Sequence, residues 1–173
     1  IINKADESEN ILKKLKNNSN IYFIPAFTGL GAPYWNSEAR GIITGLTRDT
    51  QRNHIIRAAI ESVVYQSVDL FSAMKNDGLK PKLIKIDGGM VKNNWFNQFL
   101  SDMSNLRVLR PEIQETTALG AALIAGYGAG IFRSLSQIAK KNRINRQYRP
   151  KIISKNRLKL LNGWDQAIRK TNK

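Results

Sequence analysis

A glycine pair at positions 88 and 89 is the feature of this sequence best suited to chemistry. It stands in the run IDGGM, between a predicted strand at residues 83–86 and a predicted helix at residues 94–104. Ligands of open α/β sheets bind at the carboxyl ends of strands, and glycine lets a ligand lie close against the backbone. The free N–H groups of the next helix favour an anion or a polar ring edge. The run is therefore either a ligand-binding turn or a plain strand-to-helix turn, and composition favours neither.

Two other stretches are rich in glycine and small residues. The stretch IPAFTGLGAPYW at residues 24–35 is costly to expose unless it lines a site or packs on another domain, and core packing is the favoured interpretation. The stretch TTALGAA at residues 116–122 places small residues on consecutive helical turns. Such residues admit a ligand or another backbone, although simple helix–sheet packing is favoured.

Side chains for acid–base or metal chemistry are sparse. The sequence has no cysteine and one histidine, His54, for which a structural or surface role is favoured over a catalytic one. The aspartates show no spacing typical of a general acid and base pair. We therefore predict no metal site and assign no catalytic residue within this sequence.

The elements that position these stretches alternate along the chain. Hydrophobic periodicity predicts a long helix with Thr50 as its N-cap, ended by Gly78 and Pro81. Its apolar positions predict one buried face: Ile56, Ile60, Val63, Val64, Leu70, Phe71 and Met74. The other helices are predicted at residues 7–18, 94–104, 117–129, 134–141 and 154–170, and the strands at 21–24, 42–46, 83–86 and 107–109. The alternation from residue 42 onward predicts an α/β layer with largely parallel strands.

The charge is concentrated at one end of the chain. The formal net charge is +15, and residues 133–173 hold 13 of the 28 Lys and Arg but only one of the 13 Asp and Glu. Such a tail can bind polyanions, although a solvated basic surface is the favoured interpretation. The sequence has no membrane-length apolar run, no secretory signal and no initial Met, so we predict a truncated, cytoplasmic chain.

Four runs in this order resemble one family: PAFTGLGAPYW at 25–35, ARGIITGLTRDTQRNHIIRAAIES at 39–62, IDGGMVKNNWFNQFLSD at 86–102 and TTALGAALIAG at 116–126. Together they resemble the C-terminal domain of the glycerol kinases, which are FGGY carbohydrate kinases. The resemblance covers roughly residues 20–170, and its first run is the most specific to glycerol kinases. It implies an α/β fold that is part of an actin-like, ribonuclease-H-like ATPase domain.

The resemblance also implies a site and its ligands. MgATP would be the phosphoryl donor and glycerol the acceptor, so the implied cofactors are ATP and Mg²⁺. Gly89 would lie against the nucleotide with Gly88 as its neighbour, and Asn93 would reach the adenine side. The TTALGAA helix would pack behind this turn.

The resemblance is incomplete because the family's catalytic aspartate lies in a Gly-Asp-Gln run that this sequence lacks. We therefore expect little kinase activity from the isolated chain. The expected organisation is a partial N-terminal remainder at 1–20, an FGGY C-terminal nucleotide-binding domain at 21–150 and a basic helix at 151–173. The possible partners are ATP or ADP, glycerol, an N-terminal kinase subunit and further copies of the chain. The alternative function is a non-catalytic protein whose basic tail binds nucleic acid or an anionic surface, with nucleic acid not favoured.

Overall fold

The structure is a computed structural model that describes residues 7–17, 19–141 and 143–172. The predicted segments 1–20 and 151–173 therefore fall partly outside the described residues. The described residues form six α-helices: α1 (Glu7–Lys14), α2 (Arg52–Asn76), α3 (Asn94–Ser104), α4 (Thr116–Gly128), α5 (Leu135–Ala139) and α6 (Ser154–Arg169). The strands are β1 (Tyr22–Ile24), β2 (Ile42–Thr44), β3 (Leu83–Lys85), β4 (Arg107–Pro111) and β5 (Ile144–Tyr148). Short 3₁₀ helices span Gly89–Lys92 and Lys170–Asn172.

The strands form two separate sheets. Strands β1 and β2 pair antiparallel, whereas the second sheet has the order β3-β4-β5. Strand β4 is parallel to β3 and antiparallel to β5. The predicted single layer of largely parallel strands is therefore wrong. Strand β2 pairs with β1 in a sheet of its own, and β5, which was not predicted, pairs antiparallel with β4.

Strand β5 was not predicted because apolar and polar residues do not alternate along it. Its sequence is INRQY, and Tyr148 is its only buried residue. Strand β4, predicted at residues 107–109, extends to Pro111, and its register with β5 is irregular between Arg110 and Pro111. A proline and a register shift are compatible at this position because a strand end does not need every ladder hydrogen bond.

The hydrophobic core lies where α2, α3, α6 and β1 meet. Tyr65 of α2 stacks on Trp164 of α6 with ring centroids 5.1 Å apart and meets the edge of Phe99 of α3 at 5.7 Å. Trp164 is 2% exposed. The basic C-terminal helix is therefore an integral part of this core, with its charged side chains on the outer face.

Helix α2 begins one residue later than predicted. Gln51, not Thr50, is its N-cap, and its backbone N–H donates a 3.0 Å hydrogen bond to Nδ1 of His54. His54 thus has a structural capping role, as favoured from the sequence. The predicted buried face is only partly correct, because Val63 and Leu70 are 36% and 43% exposed.

A buried ion pair replaces part of the expected apolar face of α2. Arg57 Nε lies 2.6 Å from Glu61 Oε1, and the two side chains are 10% and 1% exposed. Periodicity counts only apolar residues, so it could not place this pair on the inner face. None of the described helices is long and apolar enough to cross a membrane.

Candidate functional site at the glycine turn

The glycine turn follows β3 as the sequence predicted. Gly88 has a φ of 88° and occupies the N-cap position of the 3₁₀ helix Gly89–Lys92. A positive φ of this size is strained for any residue with a Cβ, so the turn requires glycine here. The Gly88 N–H donates a 3.4 Å hydrogen bond to the Gln114 carbonyl. This bond connects the turn to the segment between β4 and α4.

The backbone at Gly88 and Gly89 is open to approach. A Cβ built at either glycine would meet no heavy atom within 4 Å outside its immediate neighbours. Both residues are exposed. Near the turn, the buried Gln114 Oε1 has no hydrogen-bond partner. Empty space over exposed backbone and a nearby unpaired acceptor fit a bound polar ligand.

Asn93 has two partners within the chain. Its Oδ1 accepts a 3.0 Å hydrogen bond from Phe96 N, so Asn93 caps α3, and its Nδ2 donates a 3.2 Å hydrogen bond to Ser8 Oγ. The structure brings Asn93 to the same turn region as Gly88 and Gly89. A ligand that contacted the Asn93 amide nitrogen would have to share or replace the bond to Ser8.

Asp87 connects the turn to α4. Its Oδ2 accepts a hydrogen bond from the Thr116 hydroxyl at the start of that helix. The aspartate beside the glycine pair therefore has a structural partner. Asp87 and Thr116 are therefore neighbours in the fold, although they belong to two different runs of the sequence.

A polar hub at Asn94 was missed by the sequence reasoning. Asn94 Oδ1 accepts from Arg110 Nη1, Arg146 Nη1 and Tyr148 Oη at 3.2, 3.0 and 2.8 Å. Its backbone N–H and Nδ2 donate to Glu9 at 3.1 and 3.3 Å. Asn94 thus joins α3 to α1, β4 and β5, directly after the glycine turn. An asparagine beside another asparagine gives no sequence signal for such a role.

Glu9 contributes the carboxylate of this hub. Burial raises the pKa of Glu9, but the hydrogen bonds from Lys13 and Asn94 outweigh it and lower that pKa overall. The stabilised carboxylate therefore stays ionised and holds α1 against the start of α3.

Helix α4 does not pack as the sequence reasoning favoured. Gly126 is its only buried residue, and Ile124 and Tyr127 are 57% and 43% exposed. Among the described residues, the helix touches the turn through Thr116 at its first position, and no sheet covers the rest of it. The interpretation as helix–sheet packing is therefore wrong for the described chain.

The glycine- and aromatic-rich loop between β1 and β2 is only partly in the core. Ala26 and Leu30 are buried, whereas Phe27 and Trp35 are 75% and 79% exposed. Core packing, the favoured interpretation, is correct for the first pair and wrong for the second. Trp35 also has a φ of 49°, which is uncommon for a bulky residue.

The described residues form no cluster of metal-ligating side chains. No group of three or more His, Cys, Asp or Glu side chains within 7–17, 19–141 and 143–172 can hold a metal ion. The described side chains therefore do not fit a Mg²⁺ site by themselves.

Comparisons with known proteins identify the family of this chain. The profile of the FGGY family of carbohydrate kinases, C-terminal domain, matches residues 3–129. A glycerol kinase of Shewanella piezotolerans is 47% identical over 172 residues, which is 99% of this chain and 35% of that protein. A glycerol kinase of Coxiella burnetii is 47% identical over 171 residues, with 34% of its length covered. The chain thus spans about a third of the length of these curated relatives.

Solved structures show the same fold. The crystal structure of Plasmodium falciparum glycerol kinase with ADP matches with a TM-score of 0.88 and 35% identity, over 98% of this chain and 34% of that one. A ligand-bound xylulose kinase of Lactobacillus acidophilus matches with a TM-score of 0.79 and 25% identity, over 98% and 34%. The predicted fold class, part of an actin-like α/β ATPase domain, is confirmed. The chain belongs to the FGGY family of carbohydrate kinases and carries the C-terminal domain of that family.

Proposed function

We propose that this chain is the nucleotide-binding C-terminal part of a glycerol kinase and that it binds the adenosine side of ATP or ADP at the glycine turn. The observation that carries the proposal is the exposed Gly88–Gly89 backbone at the carboxyl end of β3, with no atom within 4 Å of a built Cβ. The similarity to glycerol kinases, one of them solved with ADP, supports the choice of ligand.

Each turn residue has a distinct part in this proposal. Gly88 sets the turn through its positive φ, and Gly89 offers flat backbone against which the nucleoside lies. Asn93 caps the start of α3, and its amide nitrogen would reach the adenine side by sharing or replacing its hydrogen bond to Ser8. When bound, ATP supplies the transferable phosphoryl group. Mg²⁺ would accompany the nucleotide, and we assign none of the described side chains to it.

Phosphoryl transfer needs more than a nucleotide half-site. The acceptor hydroxyl must be oriented and its proton accepted, while charge on the transferred group is stabilised. The sequence has no Gly-Asp-Gln run that could supply the catalytic base. We therefore propose that glycerol phosphorylation requires the portion of the enzyme that its relatives carry upstream of this domain.

Two further expectations remain proposals. We propose a cytoplasmic location and the division into segments 1–20, 21–150 and 151–173. The alternative function, a basic protein that binds nucleic acid or an anionic surface, is not supported, because the relatives reported above are all kinases.

Calorimetric titration of MgADP into the purified chain tests the nucleotide site. We expect weak, saturable binding that Gly89→Val abolishes. The substitution fits the fold, since a Cβ at Gly89 meets nothing within 4 Å. The matched control is Gly31→Val, another exposed glycine with no atom near a built Cβ, in the loop between β1 and β2. Equal ADP affinity in both variants, or no binding by the folded chain, contradicts the proposed site.

An exposed apolar surface supports the need for a further portion of the enzyme. Four large apolar side chains of α4, the start of α5 and the segment that joins them are 43% to 70% exposed; they are Ile124, Tyr127, Ile131 and Leu135, and we call them the α4 surface. Strand β3 lies at the edge of its sheet with β4 on one side only among the described strands. Contiguous apolar patches and bare strand edges mark interaction sites.

We propose that the α4 surface and the β3 edge contact the N-terminal portion of a glycerol kinase. The relatives extend well beyond this domain, since the chain covers only 34–35% of their length. The N-terminal portion of the Coxiella burnetii relative, expressed separately, serves as the test partner. We expect a complex in analytical ultracentrifugation and glycerol phosphorylation by the mixture.

Two exposed residues provide the variants for this test. Ile124→Asp should abolish the complex, because a carboxylate on the α4 surface cannot be desolvated without a partner charge. Leu158→Asp on α6, 53% exposed, is the matched control and should leave the complex intact. A complex that persists in Ile124→Asp contradicts the proposed surface, and self-association alone would favour a homo-oligomer.

A further inference from the structure

A cleft whose lining includes none of the residues of the glycine turn has features that the proposed function does not use. Its volume is about 800 Å³, and it lies between the connection from α1 to β1, the outer face of α3 and the start of α6. This volume is within the range of small-molecule sites, roughly 300–1,000 Å³. Trp95 and Phe99 form part of its wall, stacked with centroids 4.9 Å apart.

The guanidinium of Arg57 forms the buried part of this cleft. Its side chain is only 10% exposed. Nε lies 2.6 Å from Glu61 Oε1, Nη1 donates a 2.7 Å hydrogen bond to the Leu15 carbonyl, and Cζ stands 5.0 Å above the Trp95 ring. The remaining nitrogen, Nη2, donates no hydrogen bond to any described residue. It is not among the buried atoms that lack a partner, so it is accessible to solvent. A positioned donor of a buried cation is therefore left for a ligand in the cleft.

The rim of the cleft is basic. Lys16, Lys151 and Lys159 line it, and none of them forms an ion pair within the described part of the chain. Of the described residues in the lining, Asp102 alone is a carboxylate. Its Oδ1 already accepts from Lys151 N at 2.6 Å, Ile152 N at 3.3 Å and Gln98 Nε2 at 3.0 Å. Glu61 offsets the charge of Arg57, but the three lysines of the lining outnumber Asp102, so the net formal charge around the cleft is positive.

We propose that this cleft is a second binding site, distinct from the nucleotide turn, for a small organic polyphosphate. The Arg57 Nη2 would donate to a phosphoryl oxygen at the base, as guanidinium groups commonly do. The three lysines would neutralise the remaining charge at the rim, and the amides of Asn17 and Asn156 would donate further hydrogen bonds. Part of the basic tail thereby has a specific ligand, because Lys151 and Lys159 both belong to it.

The test uses inorganic triphosphate as the probe, without divalent cations, in calorimetric titration of the full chain. We expect saturable binding with one molecule per chain. The triple variant Lys16→Gln, Lys151→Gln, Lys159→Gln should weaken it by about tenfold or more, since several charge-assisted contacts are lost together. All three lysines are exposed, so the fold should persist.

The matched control removes the same charge elsewhere. Lys75, Lys80 and Lys82 are exposed and do not line the cleft, so their replacement by Gln should have little effect on affinity. The indole N–H signal of Trp95, assigned with Trp95→Phe, should shift on binding, whereas that of the core residue Trp164 should not. Equal losses in the two triple variants, loss of binding in Gly89→Val, or no binding by the folded chain would overturn the proposal. None of these results depends on whether ADP binds at the glycine turn.

Discussion

Trp164 Nε1 donates a 2.7 Å hydrogen bond to Asp69 Oδ2, and this bond ties the C-terminal helix α6 to the long helix α2. The Tyr34 hydroxyl lies close enough to the same carboxylate to lower its pKa, which connects the loop between β1 and β2 to both helices. Burial raises the pKa of Asp69, the indole and the hydroxyl counteract this effect, and the nearby Asp165 adds to it; the net shift is upward. Three separate parts of the chain thus converge on a carboxylate that is held in an unfavourable environment.

Asp69 should make the stability of the domain depend on pH. The pKa of Asp69 in the folded state lies above 3.8, the ordinary value for an aspartate, so the folded state binds the proton more tightly than the unfolded state does. The contribution of Asp69 to the free energy of unfolding therefore falls as pH rises from about 3.8 through the raised pKa. Asp69→Asn keeps an acceptor for Trp164 and removes the titration. Urea unfolding across this pH window should show the variant gaining stability relative to the wild type; a constant difference would contradict the assignment.

Trp164→Phe probes the same contact from the other side. The phenyl ring can keep the stacking on Tyr65, but the donor to Asp69 is lost. Since that hydrogen bond lowers the pKa of Asp69, its loss should raise the pKa further and extend the pH-dependent loss of stability to higher pH. The titration of the Asp69 carboxyl, followed by NMR in the variant and the wild type, measures the shift directly.

The sequence could predict the elements that carry a strong local signal. The start and end of α3, the glycine turn after β3 and the structural role of His54 all follow from periodicity, glycine placement and residue type. The resemblance to a family identified the fold class, since four ordered runs are more informative than any single one. The assignment of Gly88, Gly89 and Asn93 to the nucleotide stays a prediction.

The remaining features depend on contacts between distant residues. Strand β5 has four exposed side chains and is held in the sheet by its pairing with β4. Its own residues therefore give no local signal for a strand. Arg57 and Glu61 look like solvated charges in the sequence, yet each is buried because the other is present. The small residues of α4 suggested close packing, but the helix is mostly exposed, so the described residues do not form that packing.

Removing Glu61 alone should destabilise the domain more than removing Arg57 and Glu61 together. Glu61 is 1% exposed and also accepts a 3.3 Å hydrogen bond from the Tyr65 hydroxyl. Glu61→Ala leaves a buried guanidinium without its partner, which should cost about 3–5 kcal/mol of unfolding free energy. The double variant Arg57→Met, Glu61→Leu should be markedly more stable than the single variant, because no buried charge remains. Chemical denaturation of the three proteins would contradict this account if the single and double variants proved equally stable.

Gly163 of α6 should resist the substitution that ordinarily stabilises a helix. Glycine to alanine inside a helix gains about 0.8–1 kcal/mol in most hosts. At Gly163, however, the added Cβ would overlap the Tyr22 hydroxyl and ring, and Tyr22 is held there by a 3.2 Å hydrogen bond to the Leu160 carbonyl. Overpacking of this kind costs about 1–3 kcal/mol, so Gly163→Ala should be destabilising.

Gly120 provides the matched control for that prediction, because it lies inside α4 and a Cβ there meets nothing within 4 Å. Gly120→Ala should therefore show the ordinary gain, measured as an increase in the urea midpoint at constant slope. Opposite signs for the two variants would show that the approach of Tyr22 to the α6 backbone, and not helix propensity, selects glycine at position 163. A gain in both variants would mean that Tyr22 moves aside at little cost and that the contact between β1 and α6 is not a tight one.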